Sequence, residues 1–106
     1  MCAACKETNE LASDVVADDE LLLPAHTKVM TPRGCAKCRG TGYKGRTGMF
    51  EVIEVTDDIR ELIKSKATAQ AFREVLRKRH VPSIRQVGVE MARAGVTTID
   101  EVLRVT

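Results

Sequence analysis

Two short stretches, Cys2-Ala3-Ala4-Cys5 and Cys35-Ala36-Lys37-Cys38, contain all four cysteines of this 106-residue chain. Each stretch is a Cys-x-x-Cys pair, and this spacing lets both sulfurs reach one ion without backbone strain. Four thiolates satisfy a tetrahedral Zn²⁺ ion and leave no position open for a substrate. We therefore expect one structural zinc, bound by Cys2, Cys5, Cys35 and Cys38.

Three other interpretations of the cysteine pairs stay open. Disulfides are typical of secreted proteins, but no apolar leader precedes Cys2, since Met1 comes directly before it. A rubredoxin-like iron site has similar spacing, although rubredoxins are acidic and aromatic-rich, and this chain has one tyrosine and two phenylalanines. A chaperone-type zinc finger fits residues 35–42 through the pattern Cys-x-x-Cys-x-Gly-x-Gly, which the first pair does not repeat.

Composition restricts the remaining classes of function. Aromatic residues make up only 3% of the chain, so any core is aliphatic, and small domains of this kind often need a metal. The formal net charge is +2, and a zinc ion with four thiolates adds −2, so the loaded form is nearly neutral. Nucleic acid is therefore not an expected partner. No apolar run approaches the ~20 residues that a transmembrane span needs.

The chain is expected to divide near residue 48, which gives a small α+β fold. Residues 1–48 would form a tetracysteine zinc-binding subdomain with short strands, and residues 49–106 a short strand followed by a helical bundle. The acidic and aliphatic residues 9–23 predict a short helix that ends before Pro24. Residues 27–31 predict a short strand.

A change of period marks the second half of the chain. Residues 47–55 are apolar and rich in β-branched side chains, which predicts a strand. Helical spacing follows, with Gly95 as the residue after the third helix and Pro82 ending the second. Four helix starts are indicated by capping residues: Thr56, Thr68, Ser83 with Gln86, and Thr98 with Glu101.

No catalytic set emerges from the sequence. A phosphate loop of the Gly-x-x-x-x-Gly-Lys-Ser/Thr type is absent. Residues 40–45 have the glycine spacing of a dinucleotide-binding fingerprint, but no helix pattern follows them. Metal-bound thiolates are not free nucleophiles, and His26 and His80 are expected in a loop and at a helix end. We therefore expect no catalysis from this chain alone.

Three stretches together resemble one protein family. Residues 34–52 read Gly-Cys-x-x-Cys-x-x-Thr-Gly-Tyr-Lys-Gly-Arg-Thr-Gly-Met-Phe-Glu-Val, and they resemble the tetracysteine segment of type II secretion and type IV pilus assembly ATPases, the GspE/PilB group. Residues 2–7 resemble its first cysteine pair, and residues 95–106 resemble its C-terminus. Met49, where the family usually has Ile or Leu, and Val87-Gly88, where Asp-Gly is common, depart from the pattern.

The resemblance implies a hexameric cytoplasmic motor, docked on the inner membrane, that hydrolyses ATP to assemble pilins or pseudopilins. ATP and Mg²⁺ would be bound by a preceding core that this chain does not contain, so the chain would be a C-terminal zinc and coupling region and Met1 an artificial start. The implied partners are the membrane platform protein, the membrane-anchoring subunit and neighbouring ATPase subunits. A stand-alone adaptor with a structural zinc is the alternative.

Residues 33–46, the basic loop, contain five cations and no acid: Arg33, Lys37, Arg39, Lys44 and Arg46. One interpretation is that they compensate the −2 metal centre and are otherwise solvated. The other is that they dock an acidic partner or anionic lipid headgroups. On the second interpretation the expected contact residues are Arg39, Lys44 and Arg46.

Overall fold

The computed structural model describes residues 1–18 and 21–106. Four short strands lie in the first third of the chain: β1 (Lys6–Glu10), β2 (Val15–Asp18), β3 (Leu21–Leu23) and β4 (Lys28–Pro32). They form two antiparallel pairs, β1 with β4 and β2 with β3, so the second pair is nested inside the first. In the outer pair Lys6 lies opposite Pro32 and Glu10 opposite Lys28. This register brings Lys6, which follows the first cysteine pair, next to Pro32, which precedes the second pair.

The helix expected over residues 9–23 is wrong, because the described part of this segment is extended. Val15 pairs with Leu23 and Val16 with Leu22 across β2 and β3. Side chains alternate between the two faces of a strand. Leu23 is therefore fully buried, whereas its neighbour Leu22 is 54% exposed. Asp19 and Glu20, which the expected helix included, lie outside the described residues.

The two predicted strands have different outcomes. The strand over residues 27–31 is confirmed as β4. The strand over residues 47–55 is wrong, since these residues belong to no strand or helix. Phe50 and Val52 are 73% and 80% exposed, and within residues 1–18 and 21–106 no neighbouring strand offers this segment a ladder of hydrogen bonds. A strand requires such a partner whatever its side chains favour.

The second half contains the four predicted helices, α1 (Asp57–Lys64), α2 (Ala69–Lys78), α3 (Ile84–Arg93) and α4 (Ile99–Val105). The Thr68 hydroxyl accepts the Ala71 N–H, and Ser83 with Gln86 forms a complete capping box. The α4 box is only half formed. Thr98 accepts the Glu101 N–H, whereas the Glu101 carboxylate pairs with Arg104.

Helix α3 ends in a tight left-handed turn at Gly95, as predicted. Gly95 has φ +77°, and its N–H donates to the Ala92 carbonyl at 3.1 Å. The next N–H, of Val96, donates to the Met91 carbonyl at 3.0 Å. This is the Schellman pattern, in which two carbonyls at the helix end find partners. Helix α4 follows this turn and packs on α3.

The main core joins the strands to the last two helices. Its five buried side chains come from β3, α3 and α4: Leu23, Val89, Ala92, Ile99 and Val102. Helix α3 packs on α4 and also on β2 and β4. Gly88 permits the close approach of α3 and α4, because a Cβ there would lie 2.6 Å from Val102. Helices α1 and α2 pack on each other, and each has one buried side chain, Ile59 in α1 and Leu76 in α2. The division of the chain near residue 48 stays a prediction.

Candidate metal centre

Strand pairing brings the two cysteine stretches together. Cys5 immediately precedes β1 and residues 33–34 immediately follow β4, and the Arg33 N–H donates to the Cys5 carbonyl at 3.3 Å. On the other side of the first pair, the Cys2 N–H donates to the Gly42 carbonyl at 2.8 Å. The first cysteine stretch is therefore bonded to residues on both sides of the second stretch, Arg33 before it and Gly42 after it. Both loops are positioned by backbone hydrogen bonds that involve no sulfur.

The four sulfur atoms form one compact cluster, in which all Sγ atoms lie within 4.8 Å of one another. The Sγ–Sγ distances are 3.9 Å for Cys2–Cys35, 3.8 Å for Cys5–Cys38 and 3.7 Å for Cys35–Cys38. A tetrahedral ion with Zn–S bonds of ~2.3 Å separates its sulfurs by ~3.8 Å. The cluster therefore has the dimensions of such a site.

The same distances argue against disulfides. A disulfide requires sulfurs ~2.05 Å apart, and all four cysteines are free thiols in the structure. Cys2, Cys5 and Cys38 are buried, while Cys35 is half-buried. Four buried or half-buried sulfurs in van der Waals contact repel one another as thiolates, so the arrangement suits a shared cation.

Backbone N–H groups point at two of the sulfurs. Gly34 donates to Cys5 Sγ at 3.3 Å, and Cys35 and Gly42 both donate to Cys38 Sγ at 3.2 Å. Two glycines of the basic loop, Gly34 and Gly42, thus direct their backbone N–H groups at sulfur. Gly42 is further required by space, since it has φ +81° and a Cβ there would lie 2.3 Å from the Pro32 Cβ.

These donors distinguish the two buried sulfurs that face each other. Burial raises the pKa of Cys5 to about 11 despite the Gly34 N–H. Burial also acts to raise the pKa of Cys38, but the N–H groups of Cys35 and Gly42, together with the neighbouring thiols of Cys35 and Cys5, outweigh it and lower that pKa to about 6. Cys38 is the sulfur that the surrounding backbone prepares best for a bound cation.

Two side chains from the tetracysteine segment contact the turn between α3 and α4. The Tyr43 hydroxyl lies 2.9 Å from the Thr98 hydroxyl, which caps α4 and is itself buried. Lys6 Nζ donates to the Gly95 carbonyl at 2.9 Å. Sequence reasoning missed both contacts, because each joins residues far apart in the chain and neither lies on a periodic face. Residues next to both cysteine pairs thereby contact the turn before α4 and its N-cap residue.

The five cations of the basic loop are all exposed. These cations are Arg33, Lys37, Arg39, Lys44 and Arg46. In the part of the chain that the structure describes, none of the five forms an ion pair. Arg39 has φ +57° and ends the short 3₁₀ turn Ala36–Cys38. Arg39, Lys44 and Arg46 thus lie on the surface.

The two histidines lie away from the sulfurs. His26 is in the turn between β3 and β4, where its ring nitrogen lies 3.3 Å from a Glu10 carboxylate oxygen. His80 follows the end of α2 with φ +58°. Neither is in the sulfur cluster.

Within the described residues, no helix combines the length and apolar character that a membrane crossing requires.

Comparison with known proteins identifies similar chains. The family model described as "Type II/IV secretion system protein" matches residues 1–104. The type II secretion system ATPase E of Vibrio cholerae is 39% identical over 100% of this chain and 21% of its own length. The type II secretion system protein E of Aeromonas hydrophila is 34% identical with the same coverage. The type IV pilus assembly ATPase TfpB of Acinetobacter baylyi is 30% identical over 99% of this chain and 18% of its own. The chain therefore spans about a fifth of the length of these relatives.

Proposed function

Because this chain belongs to the type II/IV secretion system protein family, in its GspE/PilB group, we propose that it is the zinc-binding and coupling region of a motor ATPase. The motor would serve type II secretion or type IV pilus assembly, as the names of its relatives state for them. Catalysis would reside in an ATPase core outside these 106 residues. The role of this region would be to fold around zinc and to transmit force.

The observation that carries the zinc proposal is the spacing of the four sulfurs, 3.7–3.9 Å for the three closest pairs. This spacing suits a tetrahedral ion, and four sulfurs leave no open position for substrate. Cys2, Cys5, Cys35 and Cys38 would hold Zn²⁺, and the N–H donors at Gly34, Cys35 and Gly42 would stabilise their negative charge. The ion would supply rigidity here.

The coupling proposal rests on the contacts between the cluster and the last helices. The basic loop is joined to α4 through Tyr43 and Thr98, and β1 is joined to the α3–α4 turn through Lys6 and Gly95. A loop held by metal and hydrogen bonds loses little conformational entropy when it docks. A displacement imposed on the loop would therefore move α3 and α4 rather than bend the loop.

We assign docking to the exposed cations Arg39, Lys44 and Arg46. Their lack of ion pairs within the described residues favours an acidic partner over a purely structural role. The candidate partners are the cytoplasmic part of the membrane platform protein, the membrane-anchoring subunit and a neighbouring subunit of the motor hexamer. The region would then work in the cytoplasm, at the periphery of the inner membrane.

Reversing these three charges tests the docking role. The variant Arg39→Glu, Lys44→Glu, Arg46→Glu in the full-length motor is expected to weaken docking about tenfold or more, which corresponds to about 1.4 kcal/mol of binding free energy, and to lower secretion or pilus output as a result. Zinc content should not change, because the three side chains contact no sulfur. Output is measured as secreted enzyme or as surface pili, and zinc by elemental analysis of the purified motor.

A matched triple variant controls for the change in net charge. Lys66, Arg73 and Lys78 are exposed cations outside the basic loop, and their replacement by glutamate should leave output close to wild type. Normal output from the basic-loop variant would contradict the docking role and would leave compensation of the metal centre as the role of these cations.

The chain alone is expected neither to bind nor to hydrolyse ATP, because its sequence contains no phosphate loop. Calorimetric titration with Mg²⁺-ATP should show no heat of binding, and phosphate release should not exceed the buffer rate. The full-length motor serves as the positive control. Micromolar affinity of the isolated chain for ATP would show that a nucleotide site lies within these residues.

A further inference from the structure

A groove of about 410 Å³ lies between residues 43–49 and the last two helices. Its first wall is the end of the basic loop together with Met49. Its second wall is formed by side chains of α3, the α3–α4 turn and α4, which include Met91, Val96 and Val105. The sulfur cluster is not part of its lining.

The floor of the groove is apolar and adaptable. Met49 and Met91 are both half-buried, and the flexible thioether side chains of methionine fit differently shaped partners. Val96 and Val105 are 37% and 52% exposed, so their apolar surface is not used within the described fold. Such a surface suits one large apolar side chain.

The rim of the groove is positively charged. Lys44 and Arg46 stand on the loop side and have no ion pair within the described residues. Arg104 stands on the helix side, where Glu101 already pairs with it. An apolar floor with unpaired cations on one edge is complementary to an apolar side chain flanked by carboxylates.

We infer that this groove binds an acidic segment of a partner protein, with one of its apolar side chains inserted between Met49, Met91 and Val105. The inference rests on the docking role proposed for the basic loop, and it gives the partner a definite chemistry and position. A bilayer surface is flat on this scale, so it would engage the other cations of the loop as well. A peptide segment would engage Lys44 and Arg46 and leave Arg33 and Lys37 free.

The groove is held open by the same contacts that position the loop. Tyr43 lines it and is fixed to Thr98 at its hydroxyl, while Gly42 is fixed to Cys38 through its N–H. A preformed groove binds its ligand with a smaller entropy loss than a groove that must first form. Removal of the metal should therefore weaken binding without changing any residue that touches the ligand.

The test uses the zinc-loaded chain and a synthetic amphipathic peptide with glutamates on one helical face and leucines on the other. Saturable amide shifts in nuclear magnetic resonance should centre on residues 43–49 and on α4. The pair Lys44→Glu, Arg46→Glu should weaken binding at least about tenfold. The matched pair Arg33→Glu, Lys37→Glu should keep the affinity within a factor of about two.

A second pair of variants tests the floor of the groove without touching the loop. Val105→Glu places a carboxylate in the groove and should also weaken binding about tenfold. Leu103→Glu makes the same change on α4 outside the lining and should have little effect. Peptides in which leucine is replaced by serine, or glutamate by lysine, should bind the unchanged chain more weakly than the original peptide does.

Several results would overturn the inference. They are the absence of saturable shifts, equal weakening by both charge pairs, equal effects of Val105→Glu and Leu103→Glu, and vesicles of phosphatidylglycerol that compete fully with the peptide. Failure of the docking role is a separate outcome. In that case Arg39→Glu, Lys44→Glu, Arg46→Glu leaves secretion normal in the full-length motor, even if the peptide occupies the groove.

Discussion

Replacement of Cys35 by serine is expected to abolish tight zinc binding and to destabilise the chain by about 4 kcal/mol. That value is the contribution of an ion present at ~1,000 times its dissociation constant. Cys35 Sγ lies 3.9 Å from Cys2 Sγ and 3.7 Å from Cys38 Sγ, so its loss opens one corner of the tetrahedron. Elemental analysis of the reduced, folded protein measures the metal, and it also distinguishes zinc from iron.

Ala36→Ser is the matched control, because Ala36 is exposed in the same stretch and reaches no sulfur. It should keep one zinc per chain. Hydrogen exchange on Cys35→Ser should show greater loss of protection in residues 1–48 than in residues 49–106. Full metal content in Cys35→Ser would contradict the four-sulfur site, and equal loss of protection would contradict two separate subdomains.

Leu23→Ala is expected to lower the free energy of unfolding by about 2–5 kcal/mol, the usual cost of truncating a fully buried leucine. Leu23 lies at the end of β3 and has no exposed surface. It packs in one cluster with Val89 and Ala92 of α3 and with Ile99 and Val102 of α4. The cavity would therefore lie where the strands meet the last two helices. Urea unfolding at saturating zinc measures the change.

The preceding residue supplies the control. Leu22 carries the same side chain on the opposite face of β3 and is 54% exposed, so Leu22→Ala should cost less than about 0.5 kcal/mol. Similar unfolding midpoints for Leu23→Ala and Leu22→Ala would mean that the strand does not pack on the helices as described.

Local signals in the sequence were enough to predict all four helices. Each follows a residue that can cap a helix, as Ser83 and Gln86 show through reciprocal hydrogen bonds within the first turn. Thr56 occupies the N-cap position of α1, although its side chain makes no capping hydrogen bond. The turn after α3 is equally local, because glycine alone enters the left-handed region at little cost. Information of this kind lies within a few residues and needs no knowledge of the fold.

The strands depend on residues that are distant in sequence, and there the predictions were less successful. Val15 and Leu23 read as part of an acidic, aliphatic helix, and only their pairing across the nested hairpin shows that they are extended. Residues 47–55 have the composition of a strand, but composition alone does not supply a neighbouring strand. Tertiary context decides both cases.

The candidate site shows the same division between local and distant information. Spacing alone grouped the four cysteines, which the structure brings within 4.8 Å of one another. It could not find Lys6 or Tyr43, whose partners Gly95 and Thr98 lie at the other end of the chain. Tyr43 is the sole tyrosine of the chain, and a lone aromatic in a polar loop was the one available signal.

The segment at residues 50–55, which belongs to no strand or helix, has a practical consequence for anyone who purifies this protein. Its apolar side chains, among them Val52 and Ile53, face solvent, and such a segment can pair with its copy in another molecule and seed aggregates. Glu51 and Glu54 interrupt the run as gatekeeper charges. Repulsion between these carboxylates on two neighbouring molecules extends ~10 Å at 0.1 M salt but only ~3 Å at 1 M salt. High salt is therefore expected to favour this association, and precipitation with salt is the least suitable purification step.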